Sequence, residues 1–162
     1  MTGGEPLLHK DLDSLLRFIK KRDLLVKIDT NGSFPSRLDE LIREKLVDWV
    51  AMDVKAPMEK YAEAAGAEVD VEGIKESITL IKKSNLEYLF RTTMVPGLLD
   101  EGDIEKIGQL CEGAKMFQLQ QFIPKDTLDE HFQQKTPYSE KKLRAFAAIL
   151  EPFVHRVRIE GL

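Results

Sequence analysis

The sequence predicts an α/β protein built on a mainly parallel sheet. Three observations predict it: helix-period and strand-like segments alternate along the chain, no Asn-Gly hairpin joins neighbouring strands, and several strands are near-continuous apolar runs. Strands separated by helices pair in parallel through right-handed crossovers, and strands covered on both faces lose the polar alternation of a half-exposed sheet. A barrel, a partial barrel and an open doubly wound sheet all fit this order. The 162 residues are enough for one core, so a single domain over 1–162 is expected.

The elements follow in order. Leu12, Leu15, Leu16, Phe18 and Ile19 recur at helical spacing and predict an amphipathic helix over 9–22. A short apolar strand over 24–28 is stopped by the turn-forming Asp29-Thr30-Asn31-Gly32. Leu38, Leu41, Ile42 and Leu46 form the next helical stripe, with Ser36 as its expected N-cap. Residues 47–54 are strand-like and end at Lys55-Ala56-Pro57, and 58–70 read as irregular with a turn at Gly66. Ile74, Ile78, Leu80 and Ile81 give a third helix, 86–95 a third strand closed by Pro96-Gly97, 104–110 a fourth helix and 116–123 a fourth strand. Residues 124–138 read as loop, 143–150 as helix and 154–159 as a last strand.

Composition narrows the function. Apolar residues at 43% and charged residues at 32% are a normal globular balance. A net charge of -4 argues against a nucleic-acid footprint, which shows as a basic patch or stripe. No apolar run reaches membrane-spanning length and no basic-then-apolar leader opens the chain, so a cytoplasmic protein without a membrane partner is expected. Cys111 stands alone, which excludes an internal disulfide and a cysteine-rich metal site within one chain. Its place among Ile104, Ile107 and Leu110 favours an inert filler on a helix face over a reactive thiol.

In parallel α/β folds, ligands bind beyond the carboxyl ends of the strands. Polar residues recur there: Asp29, Thr30 and Asn31 after the first strand, Asp53 and Lys55 after the second, Arg91, Thr92 and Thr93 in the third, and Gln118, Gln120 and Gln121 in the fourth. Gly3-Gly4-Glu5-Pro6, just ahead of the first helix, falls on the same rim. Carboxylates, cations and amides converging from several strands suit a small charged ligand. Taken singly, Asp29-Thr30-Asn31-Gly32 is also an ordinary capped turn, and Asp53 with Lys55 also fits a solvated pair on one strand face. Arg91, inside an apolar strand, requires an anionic partner. His9, His131 and His155 read as surface or capping groups and Trp49 as core. The residues alone lead to a ligand-binding α/β protein.

Taken together these segments resemble the radical S-adenosylmethionine (SAM) superfamily. Thr2-Gly3-Gly4-Glu5-Pro6-Leu7 resembles its glycine-glycine-glutamate-proline motif. Asp29-Thr30-Asn31-Gly32, Met52-Asp53-Val54-Lys55 and Phe90-Arg91-Thr92-Thr93-Met94-Val95-Pro96-Gly97 resemble successive strand-end motifs of its glycyl-radical-enzyme activases. Phe117-Gln118-Leu119-Gln120-Gln121-Phe122 is most similar to the anaerobic ribonucleoside-triphosphate reductase activating type, with the pyruvate formate-lyase activating type as near neighbour. The similarity runs from residue 2 to Leu162 with order and spacing kept.

The resemblance implies a partial (β/α) barrel of parallel strands, here lacking its first one to two β/α units, and an oxidoreductase activity that generates a glycyl radical on a partner enzyme under anaerobic conditions. It implies SAM as cofactor, bound by Gly3, Gly4, Glu5, Pro6, Asn31, Lys55 and Arg91. Asp29, Thr30, Met52 and Asp53 correspond to a monovalent-cation site. The pyruvate formate-lyase type also meets its cofactor with a late-strand histidine that this sequence lacks. The family's [4Fe-4S] cluster is held by three cysteines upstream of the glycine motif. This chain has no such ligands, so the chain alone is expected to be inactive. A start at an internal methionine, a cut edge and a split or degenerate protein all fit that reading. A non-catalytic SAM- or nucleotide-binding module is the alternative. The expected partners are a glycyl-radical enzyme and an external electron donor. The strand near residues 25–28, left at a sheet edge, further predicts a homodimer or strand exchange there.

Overall fold

The computed structural model of the chain describes residues 4–125 and 130–162. Among them, β1 (Lys27–Thr30), β2 (Trp49–Asp53), β3 (Glu87–Met94), β4 (Phe117–Gln121) and β5 (Val157–Glu160) form one sheet. All neighbours pair in parallel, and the strands stand in the sheet in chain order. That order decides among the three architectures. Right-handed crossovers that never reverse direction put every connecting helix on one face, whereas a doubly wound sheet needs a reversal point. The fold is therefore the partial-barrel kind, with α1 (Leu12–Lys20) ahead of β1 and α2 (Pro35–Arg43), α3 (Tyr61–Ala65), α4 (Val71–Lys83), α5 (Glu101–Leu110) and α6 (Glu140–Leu150) in the connections.

The pleat sorts the strand residues by parity. Ile28, Val50, Met52, Tyr88, Phe90, Met94, Phe117 and Leu119 point to the helix face and join Leu16, Leu38, Ile74, Ile81, Ile104, Leu143 and Phe146 in one core. Phe90 and Phe117 are fully buried there, each contributing roughly 1.5–3 kcal/mol of burial. Side chains of the other parity face away from the helices. The strands thus alternate rather than being apolar throughout, because the helices cover only one face.

Helix ends follow local chemistry. Asp70 caps α4 by accepting from Glu72 N at 3.1 Å and Gly73 N at 3.2 Å. Asp100 and Asp103 form a reciprocal capping box on α5, and Ser139 caps α6.

Several local expectations need correction. The strand expected over 24–28 starts at Lys27 and runs through Asp29 and Thr30. Asp23 turns the chain at φ 56° before it, and Leu24 and Leu25 are exposed. α2 begins at Pro35, whose fixed φ suits the first helical position, so Phe34 rather than Ser36 is the N-cap. The stretch expected to be irregular holds a 3-10 turn at Met58–Lys60 and then α3, which Gly66 ends at φ 67°. The period of α3 is too short to announce itself; it is anchored by Tyr61, 1% exposed, whose hydroxyl donates to Asp53 O at 3.2 Å. Within the expected loop lies a 3-10 helix, Glu130–Gln134. Trp49 is half-buried on the face away from the helices, with Lys27 Nζ 5.0 Å from its ring, and is not core.

Cys111 is fully buried, and burial pushes its thiol up to about 12, as an inert filler requires. His9 and His155 are exposed; the side chain of His131 lies outside the described residues. Among those residues no helix is long and apolar enough to cross a membrane.

Candidate functional site

The face away from the helices carries Trp49, Ala51 and Leu89 low on the strands and polar side chains toward their carboxyl ends. Asp53, Arg91, Gln118 and Arg158 stand side by side on four neighbouring strands. Thr93, Gln120 and Glu160 form the next row toward the carboxyl ends. At the β1 end of this floor, Gly4, Glu5, Asp29, Thr30, Asn31, Asp53, Lys55 and Arg91 line one cavity of about 460 Å³. A smaller hollow of about 120 Å³ adjoins it, sharing Asp53, Lys55 and Arg91 and adding Val54, Ala64, Thr93, Val95 and Leu98.

Glu5 joins the loop before α1 to the end of β1. Its Oε1 accepts from Leu7 N at 3.1 Å and from Thr30 Oγ1 at 2.9 Å, and its Oε2 accepts from Asn31 N at 2.6 Å. A carboxylate offers about four acceptor positions, so this one, which lines the cavity, has one left beyond these three bonds. Gly4 takes φ 60° with open space where a side chain would stand, leaving its backbone bare to the cavity. Pro6 is buried and starts the 3-10 turn Pro6–Leu8. Gly3 lies outside the described residues.

The turn after β1 is fixed from beneath. Gly32 has φ 79°, and a Cβ there would meet Met52 Cε at 2.1 Å. Gly32 O accepts from the buried Ser77 hydroxyl at 2.7 Å, and Asn31 Oδ1 accepts from Ser33 N at 2.9 Å. Met52 is thus a wedge on the helix face, away from the cavity.

Arg91 has the anionic partners its position demands. Its Nε donates to Asp53 and its Nη1 donates to Asp29 Oδ1 at 3.0 Å. Burial works against the charged guanidinium, but the hydrogen bond and charge of Asp53 and the charge of Asp29 outweigh it, so its pKa lies above the ordinary value. Asp29 also accepts from Lys27 Nζ at 2.7 Å. Asp53 and Lys55 are no solvated pair: Asp53 is engaged with Arg91, and Lys55 has no ion pair among the described residues. Half-buried on the cavity wall, Lys55 is a cation without a carboxylate. Among the described residues no three His, Cys, Asp or Glu side chains are grouped to hold a metal.

The Radical SAM superfamily model matches residues 1–111. The chain belongs to this superfamily. A putative glycyl-radical enzyme activating enzyme of Methanocaldococcus jannaschii is 40% identical over 167 residues, spanning 100% of this chain and 70% of that protein. A second of that description from the same organism is 26% identical over 67% of this chain and 43% of its own length. A domain of pyruvate-formate lyase-activating enzyme from Bacteroides vulgatus superposes with a TM-score of 0.78, covering 99% of this chain and 97% of that one. At 21% identity that likeness concerns the fold.

In this radical SAM chain the sequence reading missed the supports of the site. Tyr61, from α3, braces the Asp53 carbonyl; burial chiefly pushes its phenol up to about 12, so it stays a neutral donor. Thr92 Oγ1 donates to Val54 O, fixing the chain just before Lys55. A tyrosine four residues after a proline stop was the available signal for the first, and none marked the second.

Proposed function

We propose that this cavity holds S-adenosylmethionine and that the chain is the cofactor-binding part of a glycyl-radical-enzyme activase. The observation that carries the reading is the sorting of charge around one cavity: a carboxylate with a spare acceptor at Glu5 and, at Lys55, a cation with no ion pair among the described residues. An amino-acid group carries an ammonium and a carboxylate, and these two side chains suit them in turn. Gly4, with Gly3 beside it in sequence, supplies bare backbone for close approach, Pro6 sets the loop, and Asn31 and Arg91 border the remaining space. A volume of about 460 Å³ is ordinary for a ligand of this size.

Asp29 and Asp53 keep Arg91 extended along the cavity wall. The reading includes a monovalent cation between these two carboxylates, with carbonyl oxygens from Thr30 and Met52; it would draw them off Arg91 and free the guanidinium for the cofactor. SAM paired with a [4Fe-4S] cluster supplies radical chemistry in this superfamily. The cluster does not fit the residues present, because the single cysteine, Cys111, is buried and its thiol is held protonated. No step is therefore assigned to this chain alone, and we expect it to be inactive without thiolates from elsewhere.

The finer reading is an activase for an anaerobic ribonucleotide reductase or pyruvate formate-lyase type enzyme, working in the cytoplasm with an external electron donor. A second copy of the chain, met near the free edge of β1, is a further partner. The lone buried cysteine also favours a second reading, a SAM- or nucleotide-binding module without redox chemistry.

Equilibrium dialysis with S-adenosylmethionine tests the cofactor reading. Glu5→Ala and Lys55→Ala should each weaken binding about tenfold or more, as loss of a charge-assisted contact does. Binding that ignores both substitutions sinks it. Adding a cysteine-bearing upstream segment in trans, with reconstituted cluster and reductant, separates the two readings: cofactor cleavage supports the activase, and binding without cleavage supports the module.

A further inference from the structure

The loop that follows β3 is held from outside itself. Between Met94 and Asp100, the N-cap of α5, its own turn bonds run from Val95 N to Thr93 O at 3.1 Å and from Leu98 N to Val95 O at 3.2 Å. Pro96 has no N–H to add a further one. Val95 and Leu98 are nevertheless two of the apolar side chains that line the hollow of about 120 Å³ beside Lys55 and Arg91. Where this loop stands therefore sets how that hollow is closed.

The support comes from residues 132–138, ahead of α6. Lys135 Nζ donates to Pro96 O at 2.9 Å, and the Tyr138 hydroxyl accepts from Gly97 N at 3.3 Å. Gly97 stands at φ 80°, and a Cβ there would come within 3.1 Å of Lys135 Nζ, a close approach that glycine permits. Both supporting side chains are themselves backed. The Lys135 ammonium lies 5.2 Å from the Phe132 ring centroid. Tyr138 O accepts from Gln121 Nε2, at the end of β4, at 2.7 Å, and the Tyr138 ring meets Phe146 of α6 edge-on at 5.3 Å. Lys135 is half-buried and makes no ion pair among the described residues. An ammonium given to a neutral carbonyl in this way fixes backbone rather than balancing charge.

We propose that Lys135 and Tyr138 are positioning residues of the ligand site, pinning Pro96 and Gly97 so that Val95 and Leu98 stay against the hollow. The two contacts grip consecutive residues, one through a carbonyl and one through an amide, so the turn cannot lift without breaking a hydrogen bond. The wall of the site is thereby coupled to β4 and α6, neither of which lines the cavity or the hollow. What the wall meets is the ligand of the cofactor reading, on which the role in binding rests; the pinning itself is independent of that reading. All the supporting residues belong to the β3 to α6 part of the chain, so nothing here turns on what stands beyond β1.

Site-resolved amide exchange without ligand and equilibrium dialysis with S-adenosylmethionine test this on the wild-type chain, Lys135→Met, Tyr138→Phe, Leu98→Ala and the double variant Lys135→Met/Leu98→Ala. Lys135→Met and Tyr138→Phe should each speed exchange of the Gly97 and Leu98 amides about tenfold while the amides inside β3 keep their protection. Each should also weaken SAM binding about three- to tenfold. Because that effect runs through the wall, Lys135→Met should lose less affinity in the Leu98→Ala background than in the wild type. Gly97 and Leu98 exchange that ignores both substitutions overturns the proposal, and so does faster exchange throughout β3, which would be a fold effect. Affinity that neither substitution changes, or a loss of equal size with and without Leu98, overturns it as well. Glu5→Ala should abolish most binding with Gly97 exchange unaltered. A wild-type chain that binds no SAM sinks the cofactor reading and the role in binding together, whereas the pinning stands or falls on exchange alone, so the two failures are distinct results.

Discussion

Arg91 on β3 brings its Nη1 to 3.0 Å from Asp29 Oδ1 on β1, across the full width of β2. The residue beside Asp29 on the intervening strand, on the same face, is Ala51, and a side chain of one carbon leaves the guanidinium its path. Replacing Ala51 by Leu should part Arg91 from Asp29 and weaken cofactor binding about tenfold. Arg91→Ala should do the same and also destabilise the fold by about 1–2 kcal/mol, the range for a partly exposed charged hydrogen bond. Urea denaturation and equilibrium dialysis measure the two effects. An Ala51→Leu protein with unaltered affinity would show that the Arg91–Asp29 contact is dispensable.

The turn at Gly32 combines a left-handed backbone with Met52 directly below. Gly32→Ala should destabilise the chain by about 2–3 kcal/mol, from backbone strain and displacement of the thioether together. Met52 is fully buried, so Met52→Ala has a cavity cost of its own, and the steric part shows as a smaller penalty of Gly32→Ala in the Met52→Ala background than in the wild type. Chemical denaturation of the wild type, both single variants and the double variant closes that cycle, and the penalty that persists without Met52 is the backbone strain.

Acid stability should depend on Asp103. Burial pushes its carboxyl up, but the Lys60 ammonium at 2.7 Å and the Asp100 backbone amide outweigh it, so its pKa lies below the ordinary 3.8. A carboxyl lowered by folding contributes stability that is complete above its unfolded pKa and is lost as pH falls through the folded one. Asp103→Asn should flatten the stability profile below about pH 4 and lower the plateau near neutrality, as urea midpoints between pH 2 and 7 would reveal. A variant whose acid limb matches the wild type would assign that limb to other carboxyls.

Cys111, with its thiol pushed up to about 12 by burial, should resist alkylation at pH 8 in the folded protein and react once per chain in denaturant. Mass spectrometry after timed iodoacetamide exposure reads both states. Rapid labelling of the native chain would mean that the α5 end opens often.

Much of the fold was legible because its signals are long. The stripes of α4 and α6 and the run through β3 each span several periods, and Arg91 inside such a run announced its carboxylate partners. What stayed hidden depends on contacts between distant segments. α3 exists through Tyr61 reaching Asp53, and β1 starts late because Val26 N is held by Asp48 Oδ2 at 2.6 Å. Glu5 could be read as a ligand contact from its motif, but its second task, tying Thr30 and Asn31 to the loop before α1, needed the fold to bring residues 5 and 30 together.

Strand parity also constrains how such a chain can change over evolutionary time. One residue inserted within β3 would turn Arg91 toward the hydrophobic layer and Thr92 toward the cavity, undoing core and cavity wall in a single event. Deletions inside strands carry the same double penalty. Length variation among descendants of this chain is therefore expected to accumulate in the connections, such as the turn at Gly66, while the spacing from Glu87 to Met94 stays fixed.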